Sequence, residues 1–234
     1  MDRNEFVREI KKLGIELNDR QLNQLNEFYK ILIEWNEKIN LTTITEEKEV
    51  YLKHFYDSLT LYRDIDLNKN LTICDVGTGA GFPGIVLKIV FPNLKVVLID
   101  SLNKRVIYLK DVIDRLGLKD IEAIHTRMED YSKEFPEKFD LVTARAVANT
   151  RVLLEICSKS VKIGGKLIFL KANIEEEIKG IESVCSVLKL KLEKIDSFKL
   201  PIENSTRNIV FFTKIEKTPD KYPRNIDKIK KFPL

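Results

Sequence analysis

Apolar positions along the first 66 residues recur at helical spacing, first Phe6, Ile10 and Leu13, then Leu22, Leu25, Phe28, Tyr29, Leu32 and Ile33. A recurrence every three to four residues places one apolar stripe on each helix. Gly14 suits the stop of the first helix, and Asn18 or Asp19 the N-cap of the second. Asn and Thr cluster between Trp35 and Ile44 and break the pattern, and a further helix is expected from about Glu47 to Leu61. Asn68 to Asn70 marks a change of regime. Short apolar runs then alternate with helical stripes: strands are expected at 71–76, 94–100, 121–125, 139–144, 165–171, 190–198 and 207–214, with helices at 83–91, 103–116, 149–160 and 173–188. This alternation predicts an α/β fold, a mostly parallel seven-stranded sheet with helices on both faces. Only Leu200 to Ser205 separates the last two strands, too little for a crossover, so they should form a terminal antiparallel hairpin. The chain divides into a helical extension (1–66), a sheet domain (67–214) and a C-terminal tail (215–234), packed on the domain or extending from it.

The chemistry concentrates where the first strand ends. Asp75-Val-Gly-Thr-Gly-Ala-Gly-Phe-Pro-Gly84 follows an apolar run, and the second strand closes on another acid, Asp100. Glycines allow tight turns and close backbone approach to a ligand, and an acid about 20 residues further on suits a ribose. Gly79-x-Gly81-x-x-Gly84 matches the dinucleotide fingerprint literally, which leaves an NAD-linked oxidoreductase as an alternative. Two residues argue against a pyrophosphate. Asp75 would set a negative charge beside it, and Pro83 removes an amide near the helix start where anions bind. A cationic sulfonium with an amino-acid tail removes the first objection, because a carboxylate near the loop suits an ammonium. The pattern therefore looks like a site for S-adenosylmethionine in a Rossmann-like, class I methyltransferase fold.

Composition narrows the class. Of 234 residues, 44% are hydrophobic and 32% charged, as in soluble globular proteins. No apolar run reaches the roughly 18 residues of a membrane span. The first residues lack the apolar core of a secretory signal, so a cytoplasmic protein is expected. Cys74, Cys157 and Cys185 are widely spaced and form no CxxC pair, which argues against a disulfide framework or a zinc site. They read as core residues, and no metal is expected. The net charge is +4, and the stretch from Lys214 to Lys231 alone carries seven basic residues against three acids. Such a tail suits a polyanionic partner, or is simply a solvated terminus.

Several segments together resemble the 16S ribosomal RNA guanine-N7 methyltransferase family, called RsmG, GidB or glucose-inhibited division protein B. They are Trp35-Asn36 with Asn40-Leu-Thr42, His54 with Asp57-Ser-Leu59, Asp75 to Gly84, Asp100-Ser101 with Lys104-Arg105, and Arg127-Met-Glu129. Thr143-Ala-Arg-Ala146, Tyr222-Pro-Arg224 and Pro233-Leu234 complete the set. The resemblance implies methyl transfer to N7 of a guanosine in the 530 loop of 16S rRNA, position 527 in standard rRNA numbering, with 16S rRNA or the small ribosomal subunit as partner. It places Gly77, Gly79 and Phe82 in the cofactor pocket beside Asp75, Asp100 at the ribose, Met128 and Glu129 at the adenine, and Arg145 at the pocket mouth. Met128 departs from the small residue that many members look to carry there. Lys104, Arg105, Arg145, Lys171, Arg207 and Arg224 are candidate RNA contacts, each against the alternative of a solvated or salt-bridged cation. His54 and His125 read as packing histidines.

Two eliminations agree with an N7 target. The Asn/Asp-Pro-Pro-aromatic motif of exocyclic-amine methylation is absent, and pyrimidine C5 methylation needs a cysteine nucleophile. N7 already has a lone pair, so no catalytic acid or base is assigned. A monomer is expected. A non-catalytic RNA-binding or assembly protein with a vestigial pocket stays open as a further alternative.

Overall fold

The computed structural model describes residues 1–234. Helices α1 (Arg3–Lys12) and α2 (Asp19–Asn36) start at Asp2 and Asn18, whose side chains accept from the third helical amide while Glu5 and Gln21 reach back to the caps. The expected helix at 47–61 is helical but not uniform. Helix α3 (Glu47–Val50) runs into a wide π-type turn (Tyr51–Tyr56), then α4 (Asp57–Leu59) and a tight 3₁₀ turn (Thr60–Arg63). Tyr51, Leu52, His54, Phe55 and Tyr56 are all buried, more faces than the single stripe of an α-helix can hide.

The sheet domain comprises β1 (Thr72–Val76), α5 (Gly84–Val90), β2 (Lys95–Asp100), α6 (Asn103–Leu116), β3 (Ile121–His125), α7 (Met128–Glu134) and β4 (Phe139–Arg145). It continues with α8 (Thr150–Cys157), β5 (Val161–Lys171), α9 (Ile181–Leu188), β6 (Leu190–Lys199) and β7 (Thr206–Lys214), and α10 (Ile226–Lys231) follows. The strand order is β3-β2-β1-β4-β5-β7-β6. Six strands run in one direction, and only β7, inserted between β5 and β6, runs antiparallel to them, as the short 200–205 link requires. Two expected boundaries moved. The segment 173–180 turns instead of forming helix, because Gly180 adopts a left-handed conformation (φ 64°) and α9 starts only after it. Strand β5 begins at Val161, earlier than expected, and passes Gly164 and Gly165 with a shifted register against β4.

Each sheet face carries its own core. Helices α1 and α2 and the π turn pack with α5 and α6 on one face, around Phe6, Phe28, Phe55 and Phe82. Helices α7, α8 and α9 cover the other, joined by Tyr222 and Ile229 of the C-terminal segment. That segment is anchored by charge as well, since Arg224 Nε and Nη2 donate to the fully buried Glu155 of α8 at 2.8 and 2.6 Å. No helix is long and apolar enough to cross a membrane.

Candidate functional site

The chain leaves β1 toward β2 and β3 on one side, and β4 leads to β5 on the other. This reversal of strand order is where open α/β sheets bind ligands, beyond the strands' carboxyl ends. A cavity of about 740 Å³ lies there, a size suited to a nucleoside-bearing ligand. Its walls come from distant parts of the chain: Gly77 and Gly79 after β1, Arg145 at the end of β4, Lys171 at the end of β5, Arg207 at the start of β7, and His54 from the π turn.

The glycine loop is shaped from below. Asp75 is fully buried, and its Oδ2 accepts from Thr78 Oγ1 at 2.6 Å and from Gly84 N at 2.8 Å. Gly84 is needed for this approach, because a Cβ there would stand 2.3 Å from Leu98 and 2.8 Å from that carboxylate oxygen. Burial pushes the Asp75 carboxyl up to about 6, against the pull of its two donors. Asp75 does not line the cavity, and its second oxygen, Oδ1, is buried without a hydrogen-bond partner. Strand alternation turns the side chain under the loop, where it ties the loop's two ends together.

Above it, Gly77 has φ 62°, and a Cβ would meet both Val147 methyl groups at 2.7 and 2.8 Å. Asp100, 2% exposed, closes the loop from β2: Oδ2 accepts from Gly79 N at 3.0 Å and Oδ1 from Leu102 N at 2.9 Å. Arg105 Nη1 lies 3.5 Å from the same Oδ2 and lines the cavity, whereas Lys104 is exposed and does not. Met128 and Glu129 begin α7, buried and outside the cavity wall as it stands, and Glu129 Oε1 has no hydrogen-bond partner.

The opposite wall is an ordered cationic network. Arg145 Nη1 donates to the Lys53 carbonyl (2.9 Å) and to Asp57 Oδ2 (3.2 Å), and Nη2 lies 3.0 Å from His54 Nδ1. Its guanidinium carbon sits 5.1 Å from the Phe82 ring centre, a cation–π distance. His54 stacks on Phe82 at 4.4 Å. Asp57 also pairs with Arg207 Nε at 3.3 Å, so one buried carboxylate holds two arginines. Burial raises the Asp57 carboxyl, and both arginines oppose that shift. Burial and the neighbouring Arg145 charge drop His54 to about 3, so its imidazole is neutral at physiological pH. Lysines and arginines in the cavity wall (Lys53, Arg105, Arg145, Lys171, Arg207) outnumber its acids, Asp57 and Glu177.

Of the candidate RNA contacts, Lys171 lies in the cavity wall but is ion-paired, and Arg224 lies outside it. Lys171 Nζ is held by the Ala148 carbonyl at 2.5 Å and by Glu177 at 2.8 Å, which itself accepts from Thr150 at the start of α8. Arg224 lies away from the cavity against Glu155. His54 is more than a packing residue, being both part of the core and a member of the cavity network. His125 is exposed, with Nε2 3.1 Å from the Ser101 carbonyl. Sequence reasoning gave no role to Thr42, Lys53, Asp57 or Val147. The three-residue spacing of His54 and Asp57 on a helical segment was the available signal, since it puts both on one face.

The geometry suits S-adenosylmethionine on three counts: the side-chain-free surface at Gly77 and Gly79, the carboxylate at the end of β2, and a buried Glu129 oxygen that accepts no hydrogen bond. The fold is shared with an Aquifex aeolicus SAM dependent methyltransferase, with a TM-score of 0.56 at 19% identity over 78% of this chain and 98% of that one. It is also shared with M. jannaschii TYW2 in complex with AdoMet, with a TM-score of 0.50 at 21% identity over 64% and 70% of the two chains. Closer relatives run the full length. The ribosomal RNA small subunit methyltransferase G of Bacillus subtilis is 48% identical over 237 aligned positions, covering 100% of this chain and 99% of its own. That of Listeria monocytogenes is 47% identical, with both chains fully covered. The family model for rRNA small subunit methyltransferase G matches residues 21–210, and the chain belongs to that family.

Proposed function

We propose that this protein binds S-adenosylmethionine in the switch-point cavity and methylates N7 of a guanosine in the 530 loop of 16S rRNA, at position 527. The observation that carries the reading is one cavity with two unlike walls, a glycine loop closed by Asp100 and a cationic network centred on Arg145. In this reading Gly77 and Gly79 give the cofactor a close backbone surface, Asp100 accepts from its ribose hydroxyls, and Met128 and Glu129 contact its adenine. The cofactor supplies an electrophilic methyl group on a sulfonium.

The chain's own residues then need only position the base. Guanine N7 is a free lone pair, so no proton has to leave before the methyl arrives, and no general base is required. Arg145, fixed over Phe82 by Asp57, His54 and the Lys53 carbonyl, presents a planar donor group to a purine edge or a phosphate. Rate enhancement comes from proximity and exclusion of water. None of Cys74, Cys157 and Cys185 lines the cavity and all three are buried, in keeping with a reaction that forms no covalent enzyme adduct. The dinucleotide reading of the glycine loop loses its ground with the family membership.

The test is tritiated methyl transfer from S-adenosylmethionine to small subunits or rRNA from cells lacking the enzyme, with the modified base mapped. Label at N7 of the 530-loop guanosine is the expected result. Binding without transfer would support a vestigial pocket instead, and label on another atom or base would refute the assignment.

A further inference from the structure

The proton positions in the cationic wall follow from which groups can only donate. Arg145 has no acceptor atom, yet its Nη2 sits 3.0 Å from His54 Nδ1. That nitrogen must therefore offer its lone pair. The Lys53 carbonyl, 3.2 Å from the same Nδ1, could accept from an Nδ1–H, but that tautomer would set two donors against each other at Arg145. The Lys53 carbonyl is already served by Arg145 Nη1 at 2.9 Å. With the ring neutral, its proton lies on Nε2, which donates to Thr42 Oγ1 at 3.0 Å. Thr42 Oγ1 also accepts from the Ile44 amide at 3.1 Å. Both acceptor positions of the hydroxyl are then filled, and no protein group accepts its remaining proton. Thr42 lines the same cavity as Arg145 and Phe82.

We propose that Thr42 is a specificity-determining residue, whose hydroxyl is held as a donor only and reads the O6 carbonyl of the target purine. The inference rests on the guanine-N7 reading above and deepens it. A donor locked in this way suits guanine, which carries an acceptor at position 6. It opposes adenine, which carries an amino group there and would meet an O–H without a free lone pair. His54 is the positioning residue in this arrangement. Both its ring nitrogens are engaged, Nδ1 by Arg145 and Nε2 by Thr42, so it fixes the direction of the Thr42 proton from the one group, Arg145, that cannot accept.

The test uses the full-length protein and small subunits reconstituted with ligated 16S rRNA carrying either guanine or 2-aminopurine at the target position. 2-Aminopurine keeps N7 and lacks O6. Wild-type protein is expected to favour guanine by roughly tenfold in kcat/KM, the worth of one well-made hydrogen bond. Thr42→Val should lose that preference, methylating both substrates at similar rates while its S-adenosylmethionine affinity is unchanged, and Thr42→Ser should restore it. Equal wild-type rates on the two substrates would overturn the proposal without any variant, as would a Thr42→Val protein that still favours guanine. Absence of wild-type N7 transfer to guanine would instead sink the functional reading, and this inference with it.

Discussion

Asp100 anchors the glycine loop and is the candidate ribose ligand, and Asp100→Ala separates the two roles. In the folded protein its carboxylate accepts from Gly79 N at 3.0 Å and Leu102 N at 2.9 Å. Each oxygen therefore keeps acceptor capacity for a diol. Hydrogen bonds to a charged acceptor contribute about 1.5–3 kcal/mol each, and the two freed amides belong to a cavity-lining residue, Gly79, and an exposed one, Leu102. The lower end applies, so the loss of both anchors should cost roughly 2–4 kcal/mol of stability, read as a lowered urea midpoint. If the carboxylate also holds the ribose, the dissociation constant for S-adenosylmethionine should rise by roughly 10- to 150-fold, the equivalent of about 1.5–3 kcal/mol. Titration calorimetry measures the affinity below the unfolding range of the variant. A lowered midpoint with an unchanged dissociation constant would make Asp100 a loop anchor only and refute its role at the ribose.

Glu155→Ala leaves Arg224 without its buried partner and should cost about 3 kcal/mol, the low end for a broken buried pair because Arg224 can turn to water. Adding Arg224→Ala should cost little more in urea unfolding, and an additive second loss would show that the pair is not coupled. His54 is depressed to about 3 in the folded protein from 6.5, so its contribution is present above pH 6.5 and lost as pH falls toward 3. The linkage is at most about 5 kcal/mol. His54→Gln should lose less stability between pH 6.5 and 4 than wild type in pH-resolved urea titrations. Asp75, raised to about 6, favours the folded state in the opposite direction, but it is common to both proteins. Replacing the exposed Lys217, Lys221, Lys228, Lys230 and Lys231 by glutamine should reduce the salt dependence of rRNA binding by about 0.7–0.9 in log–log slope for each phosphate contact removed. An unchanged slope would leave the tail without an RNA role.

The fold was legible because its signals are local. A stripe every three to four residues, a six-residue link between β6 and β7 and the glycine loop after β1 are each read within a few positions, and all seven strands formed. The π turn and the 173–180 turns were not legible, since both are set by packing or by one backbone conformation at Gly180. Of the residues named for the site, Gly77, Gly79, Phe82, Arg105, Arg145, Lys171 and Arg207 meet at one cavity, and what each does there was far less legible. Asp75 shows why: one strand alternation decides whether its charge faces a ligand or the underside of a loop, and residue identity is the same in both cases.

The cations make the sharper case. Of the six named from sequence as RNA contacts, Arg105, Arg145, Lys171, Arg207 and Arg224 each pair with a carboxylate, and Lys104 alone makes no ion pair. For three of them the carboxylate lies far away in the chain, Asp57 for Arg145 and Arg207 and Glu155 for Arg224, so net charge along the sequence overstates the positive charge available to RNA. Pairing does not remove a cation from function in every case. Arg224 is spent, because its donors go to Glu155 and to the Phe232 carbonyl away from the cavity. Arg145 is oriented, because its carboxylate, carbonyl and imidazole partners all come from the 53–57 segment and engage only Nη1 and Nη2 of a guanidinium that still lines the cavity. Its unused donors can therefore meet a ligand without first losing the freedom of a long side chain. The same carboxylate contact that marks a structural arginine elsewhere marks, at the sheet's switch point, one pre-organised for binding.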